Sequence, residues 1–257
     1  MKIETKIVLI GAGNVATQLG IALTGAGYHI SQVYSPTKRS ASLLAKKVKA
    51  AAITDLAKVD EDASVYIIAV KDDAITDVAK QLRLKDRVVA HTSGSVSMDV
   101  LKNVSKNYGV FYPLLTFTKD KKVDFKTVPI CIEGSNKATS TTLQYFAKSI
   151  SSNVQMINSD QRKVIHLAAV FACNFSNHMY AVAESILKKN KLSLDILKPL
   201  IEETALKIRN ESPAKVQTGP AVRGDKKTME GHLKMLKKNK DLSAIYKLVS
   251  KHIPASK

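Results

Sequence analysis

The feature that most constrains this chain stands at its front, where the apolar run Ile7-Val8-Leu9-Ile10 passes straight into Gly11-Ala12-Gly13-Asn14-Val15-Ala16. Such a run reads as a buried strand. Beyond it Leu19, Ala22 and Leu23 recur at helical spacing. Strand, tight turn and helix are thus joined by Gly-x-Gly-x-x-Ala, and each small residue has a mechanical task. Gly11 permits a sharp exit from the strand, Gly13 lets a phosphate approach the backbone, and Ala16 lets the helix lie close to the strand. Free amides at the start of the helix, with the helix dipole behind them, favour an anion there. Gly11, Ala12, Gly13, Asn14 and Val15 are therefore the candidate residues for a dinucleotide pyrophosphate, in the strand-turn-helix context that the motif requires.

The next strand, at about His29 to Tyr34, identifies the dinucleotide more closely. An acidic residue about 20 positions after the glycines would hold the ribose 2′-hydroxyl of NAD. Here Tyr34 is followed by Ser35-Pro36-Thr37-Lys38-Arg39-Ser40, with no carboxylate. Ser35, Thr37, Lys38 and Arg39 suit a 2′-phosphate, so the expected cofactor is NADP. An ordinary turn with a basic helix start remains the alternative.

Strands and helices then alternate. A helix through Leu43, Leu44 and Val48 precedes a short strand near Ala52-Ile53. Ser64 to Val70 is apolar enough for a central parallel strand buried on both faces. Helices are expected from Ala74 to Leu82, from Val96 to Val104 and through Leu143, Phe146 and Ile150. Further strands are expected at Arg87–Ala90, Gly109–Tyr112, Val128–Glu133 and Val154–Ile157. Pro129 places the third of these at an edge or delays its start. Ligands of open α/β sheets bind beyond the carboxyl ends of strands, which brings Val70, Lys71, Thr92 and Ser93 to the same crevice as the glycines. The fold class expected is a doubly wound parallel sheet followed by an all-helical region, with domains at 1–157 and 158–257. The helices of the second begin at Ser159 (as N-cap, running to about Lys189), Ser193, Asp225 and Asp241, and Glu203 and Lys207 form an i,i+4 pair.

The net charge of +18 on 257 residues raises nucleic-acid binding. The lysines are scattered, however, as at Lys46, Lys47, Lys121, Lys122, Lys188, Lys189, Lys237 and Lys238, and no aromatic residues interleave with them as a base-stacking platform needs. The charge reads as a solvated surface that attracts anionic substrates, and nucleic acid is not expected as a partner. No apolar run approaches ~18 residues, so no membrane span is expected. The first strand follows the N-terminus directly, which leaves no room for a signal peptide. Two cysteines, Cys131 and Cys173, in apolar settings fit a reducing cytoplasm. No metal site is expected.

The segment Arg162 to His178 is mostly apolar and small, which predicts a helix buried on most sides. At ~100° per residue, Arg162, His166, Cys173 and Asn177 share a stripe, with Asn174 beside it. Buried polar residues need partners. A substrate, a core network and a dimer interface are each possible answers. His166 is the candidate acid or base, with Ser93, Asn174 and Asn177 as candidate orienting groups. Arg162 or Arg223 would bind a substrate carboxylate. The loop Gln217-Thr218-Gly219-Pro220-Ala221 is a candidate substrate or dimer-partner loop, and Asp225 behind it reads as a helix N-cap.

Together the glycine turn, His91-Thr92-Ser93-Gly94-Ser95, Tyr112-Pro113-Leu114, His166 to Phe171, Asn174-Phe175, Asn177-His178 and Gln217 to Ala221 resemble a bacterial family. Its members join an NADP-oxidoreductase-type Rossmann domain to a C-terminal domain of unknown function. More distantly the layout is similar to pyrroline-5-carboxylate reductase, deazaflavin-dependent NADP oxidoreductase and the β-hydroxyacid dehydrogenases. The resemblance implies a C-terminal domain like that of 6-phosphogluconate dehydrogenase, a cleft between domains, and a homodimer through the helical domain. The lysine of the β-hydroxyacid dehydrogenases, with its asparagine one turn on, has no counterpart here, where His166 and Val170 stand.

Two functions are consistent with these residues. One is an NADP-dependent oxidoreductase moving hydride to or from a small C=O or C=N substrate between the domains, with His166, or alternatively Tyr112, handling the proton. The other is an NADP-binding regulatory or scaffold protein without turnover.

Overall fold

The computed structural model describes residues 5–118 and 123–254, so Lys121 and Lys122 lie outside the described residues. The chain divides into two compact units, Met1–His178 and Met179–Lys257.

The first unit is built on eight strands: β1 (Lys6–Ile10), β2 (His29–Tyr34), β3 (Ala51–Ile53), β4 (Val65–Ile68), β5 (Lys85–His91), β6 (Ser105–Pro113), β7 (Ile130–Gly134) and β8 (Val154–Met156). Their order across the sheet is β3-β2-β1-β4-β5-β6-β7-β8. The reversal of order beside β1 creates the crevice in which ligands of such sheets bind. Every pair is parallel except β6 with β7, where Gly109 faces Gly134 and Pro113 faces Ile130. The sheet is thus the expected doubly wound parallel one, with a single antiparallel pair. Pro129 delays β7 and does not put it at an edge, for the strand begins at Ile130 and lies between β6 and β8.

Helices α1 (Asn14–Gly25), α2 (Lys38–Val48), α3 (Asp72–Lys80) and α4 (Lys137–Ile150) cover the sheet. Alternation along β1 decides what each face packs against. Ile7 and Leu9 join Leu19, Leu44, Phe111, Leu143 and Phe146 in one core layer. Val8 and Ile10 join Tyr66, Ile68, Ile75, Val89 and Leu101 in the other. All four residues of β4 are buried, as a central strand requires. The helix expected from Val96 to Val104 is only a 3-10 turn, Met98–Leu101. The Ser93 hydroxyl accepts the amides of Ser95 and Val96, which shapes that stretch into a loop, and β6 has begun by Ser105.

After β8 come α5 (Ser159–Ala169), a wider π-helical stretch (Val170–Phe175) and α6 (Ser176–Lys189). The N-cap of α5 is Asn158 and not Ser159. Asn158 and Gln161 close a reciprocal capping box, while Ser159 turns its amide and hydroxyl to Glu133. The second unit continues with α7 (Lys198–Lys207), α8 (Lys226–Leu236) and α9 (Lys240–His252). Ser193 caps a 3-10 turn ahead of α7, Asp225 caps α8, and Glu203 meets Lys207 at 3.7 Å.

The long helix is not buried on most sides. Val164 is 67% exposed and Phe171 63%, and Leu167 and Phe175 are exposed with them. No described residue of α6 to α9 is buried. Apolar content predicts that a face wants cover, and does not say which chain supplies it.

Gly109 tests the sheet. A Cβ there would lie 2.2 Å from the Glu133 carbonyl oxygen and 2.9 Å from Leu143 Cδ1. Gly109→Ala should cost about 2 kcal/mol through overpacking, which thermal unfolding would read as a Tm lowered by about 4–8 °C.

Candidate functional site

A crevice of about 790 Å³ opens at the carboxyl ends of β1, β2, β4 and β5. Gly11 leaves β1 with φ +126°, and its amide donates to the Tyr34 carbonyl at 2.8 Å. A Cβ at Gly11 would sit 2.2 Å from the Ala69 carbonyl oxygen, so only glycine fits the exit. At Gly13 a Cβ would meet nothing within 4 Å. Gly13 caps α1 without a side-chain hydrogen bond, and the first turn carries no acid. Main-chain donors thus open onto the crevice with the positive end of the helix behind them, which fits a pyrophosphate.

Gly11, Ala12, Gly13, Asn14, Val15, Ser35, Val70, Lys71 and Thr92 all line this crevice. The Asn14 side chain is used elsewhere, since its amide nitrogen donates to the Phe117 carbonyl at 2.9 Å. Thr37, Lys38 and Arg39 do not line the crevice. They are exposed, and the two cations begin α2, flanked in the chain by the lining residues Ser35, Pro36 and Ser40. Cations at a helix N-terminus oppose the dipole, a cost that an anion bound beside them would offset. Ser40, Asp77 and Gln81 line the crevice too. Sequence reasoning missed them, because nothing in their local pattern shows that a helix face looks across a sheet end.

A second group of side chains gathers about the loop His91 to Ser95 that ends β5. His91 is fully buried; it accepts from the Ser93 amide at Nδ1 (3.2 Å) and donates from Nε2 to the Ser97 carbonyl (3.3 Å). Burial, and then the nearby Arg162 charge, push its pKa down to about 4. The ring stays neutral and shapes the loop. Ser93 is buried and accepts two amides, and Ser95 donates to Asp72 Oδ2 at 2.5 Å. Beyond them the Tyr112 hydroxyl lies 3.3 Å from His166 Nδ1, with the rings edge to face. Burial, then the Cys131 thiol and Asp72, push the Tyr112 phenol up to about 12, so it keeps its proton. Both side chains crowd Gly94, where a Cβ would come 2.8 Å from His166 Nδ1 and 2.9 Å from the Tyr112 oxygen.

Arg162 fixes this arrangement. It is 1% exposed, pairs with Glu133, and donates to the Val96 carbonyl (2.6 Å) and Ser159 Oγ (3.2 Å). The expectation that it binds a substrate carboxylate is corrected, because Glu133 already occupies it. The stripe shared by Arg162, His166, Cys173 and Asn177 is also corrected. It holds for one turn, and then the π-helical stretch inserts its extra residue and rotates the residues beyond it. Cys173, Asn174 and Asn177 are exposed, and no hydrogen bond among the described residues ties them to His166 or Tyr112. Arg223 is exposed in the second unit.

His91 makes the unit acid-sensitive. Its ring takes a proton near pH 6.5 when unfolded and near 4 when folded, so between these values the unfolded chain holds more protons and acid favours it. The stability that neutral His91 supports is complete above about pH 6.5 and falls by about 3 kcal/mol on the way to pH 4. His91→Gln should flatten the dependence of the urea midpoint on pH across that window.

The chain matches known families over both halves. Residues 6–93 match the family described as NADP oxidoreductase, coenzyme F420-dependent, and residues 128–253 match a domain of unknown function, DUF2520. A candidate NADP oxidoreductase from Bacteroides fragilis is 45% identical, with 97% of this chain and 98% of that one covered and a TM-score of 0.92. An imine reductase from Myxococcus stipitatus, in complex with NADP+, shares the fold at 14% identity, covering 96% of this chain and 94% of that one with a TM-score of 0.66. A pyrroline-5-carboxylate reductase from Coxiella burnetii does so at 16% identity, covering 99% and 100% with a TM-score of 0.61. No curated protein matches the chain.

Proposed function

This chain belongs to the family of the Bacteroides fragilis NADP oxidoreductase-like protein, and on that premise we propose that it is an NADP-dependent oxidoreductase acting on a small C=O or C=N compound. The observation that carries the reading is the crevice itself. A phosphate-binding turn at Gly11 to Val15 faces a second strand that is followed at once by Ser35 and no carboxylate, and Lys38 and Arg39 start the following helix.

When bound, NADP supplies the hydride chemistry. The chain's residues do the rest. Amides at the start of α1 hold the pyrophosphate, and Ser35, Thr37, Lys38 and Arg39 hold the 2′-phosphate. Val70, Lys71 and Thr92 line the other end, next to the loop on which Ser93 and Gly94 sit. His166, half-buried against that loop, gives or takes the proton. Ser93 keeps the loop in shape, and Asn174 and Asn177 orient substrate, a role supported only by their place on the same helix. The strand-to-helix change near Asn158 remains the proposed domain boundary, at 157/158. We also propose a homodimer in the cytoplasm. Its support is the exposed face of Val164, Leu167, Phe171 and Phe175, an apolar surface that a second copy would cover. No helix of the described residues is long and apolar enough to cross a membrane.

Three measurements test these readings. Arg39→Glu should weaken NADPH binding, followed by cofactor fluorescence, at least about tenfold and leave NADH within about twofold, since only NADPH carries the phosphate. Equal losses for both cofactors would refute the assignment of that phosphate. Phe171→Glu should halve the sedimenting mass, and a wild-type monomer would remove the dimer. NADPH binding without oxidation by any 2-oxo acid or cyclic imine would favour the scaffold reading.

A further inference from the structure

Three observations meet at one point of the first unit. The Tyr112 hydroxyl has a single partner among the described residues, His166 Nδ1 at 3.3 Å, and Nε2 of the same ring has none. Gly94 leaves no room beside them, for a Cβ would reach both side chains below 3 Å. Arg162, one turn before His166 on α5, is tied to Glu133 of β7 and to the Val96 carbonyl, which opposes a slide of the helix that would relieve the contact.

We propose that Tyr112, seated against Gly94, is a positioning residue that fixes His166 with Nδ1 as acceptor and Nε2–H directed away, so that the ring meets substrate as a hydrogen-bond donor. The proposal rests on the reading of His166 as the proton-handling group and narrows it. A phenol that keeps its proton must donate it somewhere, and Nδ1 is the only acceptor it meets among the described residues. Were Nδ1 protonated, the phenol oxygen would accept from it instead, and the phenol's own hydrogen would have no acceptor among the described residues. With Nδ1 committed, the remaining nitrogen carries the hydrogen. A donor suits a carbonyl oxygen or an imine nitrogen, the acceptor atoms of a compound about to be reduced. It suits an alcohol awaiting a base less well, so the resting ring is set for the reductive direction.

The full chain, labelled with ¹⁵N-histidine, would be examined by long-range ¹H–¹⁵N correlation at alkaline pH, with His166 assigned by the loss of its signals in His166→Gln. The expected result is a proton on Nε2 and an Nδ1 resonance displaced by accepting a hydrogen bond. Tyr112→Phe should move Nδ1 to the free-acceptor position while NADPH affinity stays within about twofold. Gly94→Ala should displace the same ring; if it does not fold, Tyr112→Phe decides alone. With a substrate in hand, Tyr112→Phe should lower kcat about tenfold at unchanged KM. A proton on Nδ1 in the wild type, or an Nδ1 resonance that Tyr112→Phe leaves in place, would overturn the proposal. Absence of NADPH binding would instead overturn the oxidoreductase reading, since the ring is read without cofactor.

Discussion

The arrangement of the site depends on the ion pair between Arg162 and Glu133. One partner opens the long helix and the other ends a strand, and the same guanidinium reaches the Val96 carbonyl beyond β5. Three segments distant in sequence are thus held to one point. Such a pair is a poor source of net stability, because desolvating both charges offsets most of their attraction. Arg162 Nε is also left without a partner among the described residues, a further cost. What the pair supplies is geometry. A helix held at Arg162 must present His166 one turn later, at the height where Tyr112 and the Ser93-Gly94 loop wait.

Around that anchor, the buried polar residues divide by use. His91 and Ser93 spend their hydrogen bonds on the loop, and burial keeps His91 neutral. Tyr112 and His166 are half-buried and touch each other. A loop made rigid by closed bonds packs against a pair that keeps one nitrogen open, which would preorganise the proposed proton-handling group without freezing it.

Most of the sheet was legible because its signals are local. A buried run before a glycine turn, a strand ended by hydroxyls and cations, and an apolar stretch at Val65–Ile68 each announce themselves within a few residues. The features that were not legible depend on contacts across the chain. The direction of β7 is set by its pairing with β6, which no periodicity records. Arg162 read as a ligand-binding cation because its partner, Glu133, is 29 positions away. The stripe from His166 to Asn177 assumed a uniform helix, and the π-helical stretch between them breaks that assumption. Gly94 passed as one more loop glycine, since its meaning lies in two side chains from other elements.

The helical unit raises the same question at a larger scale. Its apolar residues are exposed along α6 to α9, and a gap of about 300 Å³ remains among Met179, Val182, Pro220, Leu236, Ile245 and Val249. A core stabilises a fold by removing apolar surface from water, and here much of that surface is still wet. Local helix signals do not close this account: Asn239 and Asp225 cap their helices, and ion pairs such as Glu203–Lys207 decorate the outside, and none of these removes apolar surface from water. Cover from a second chain would bury what the unit leaves exposed, and folding and association would then draw on the same free energy. The exposed face of the long helix lies on the same continuous element that carries His166. Whatever covers that face therefore bears on the angle at which the ring meets Tyr112, so the proposed assembly and the proposed proton handling would be linked through one helix.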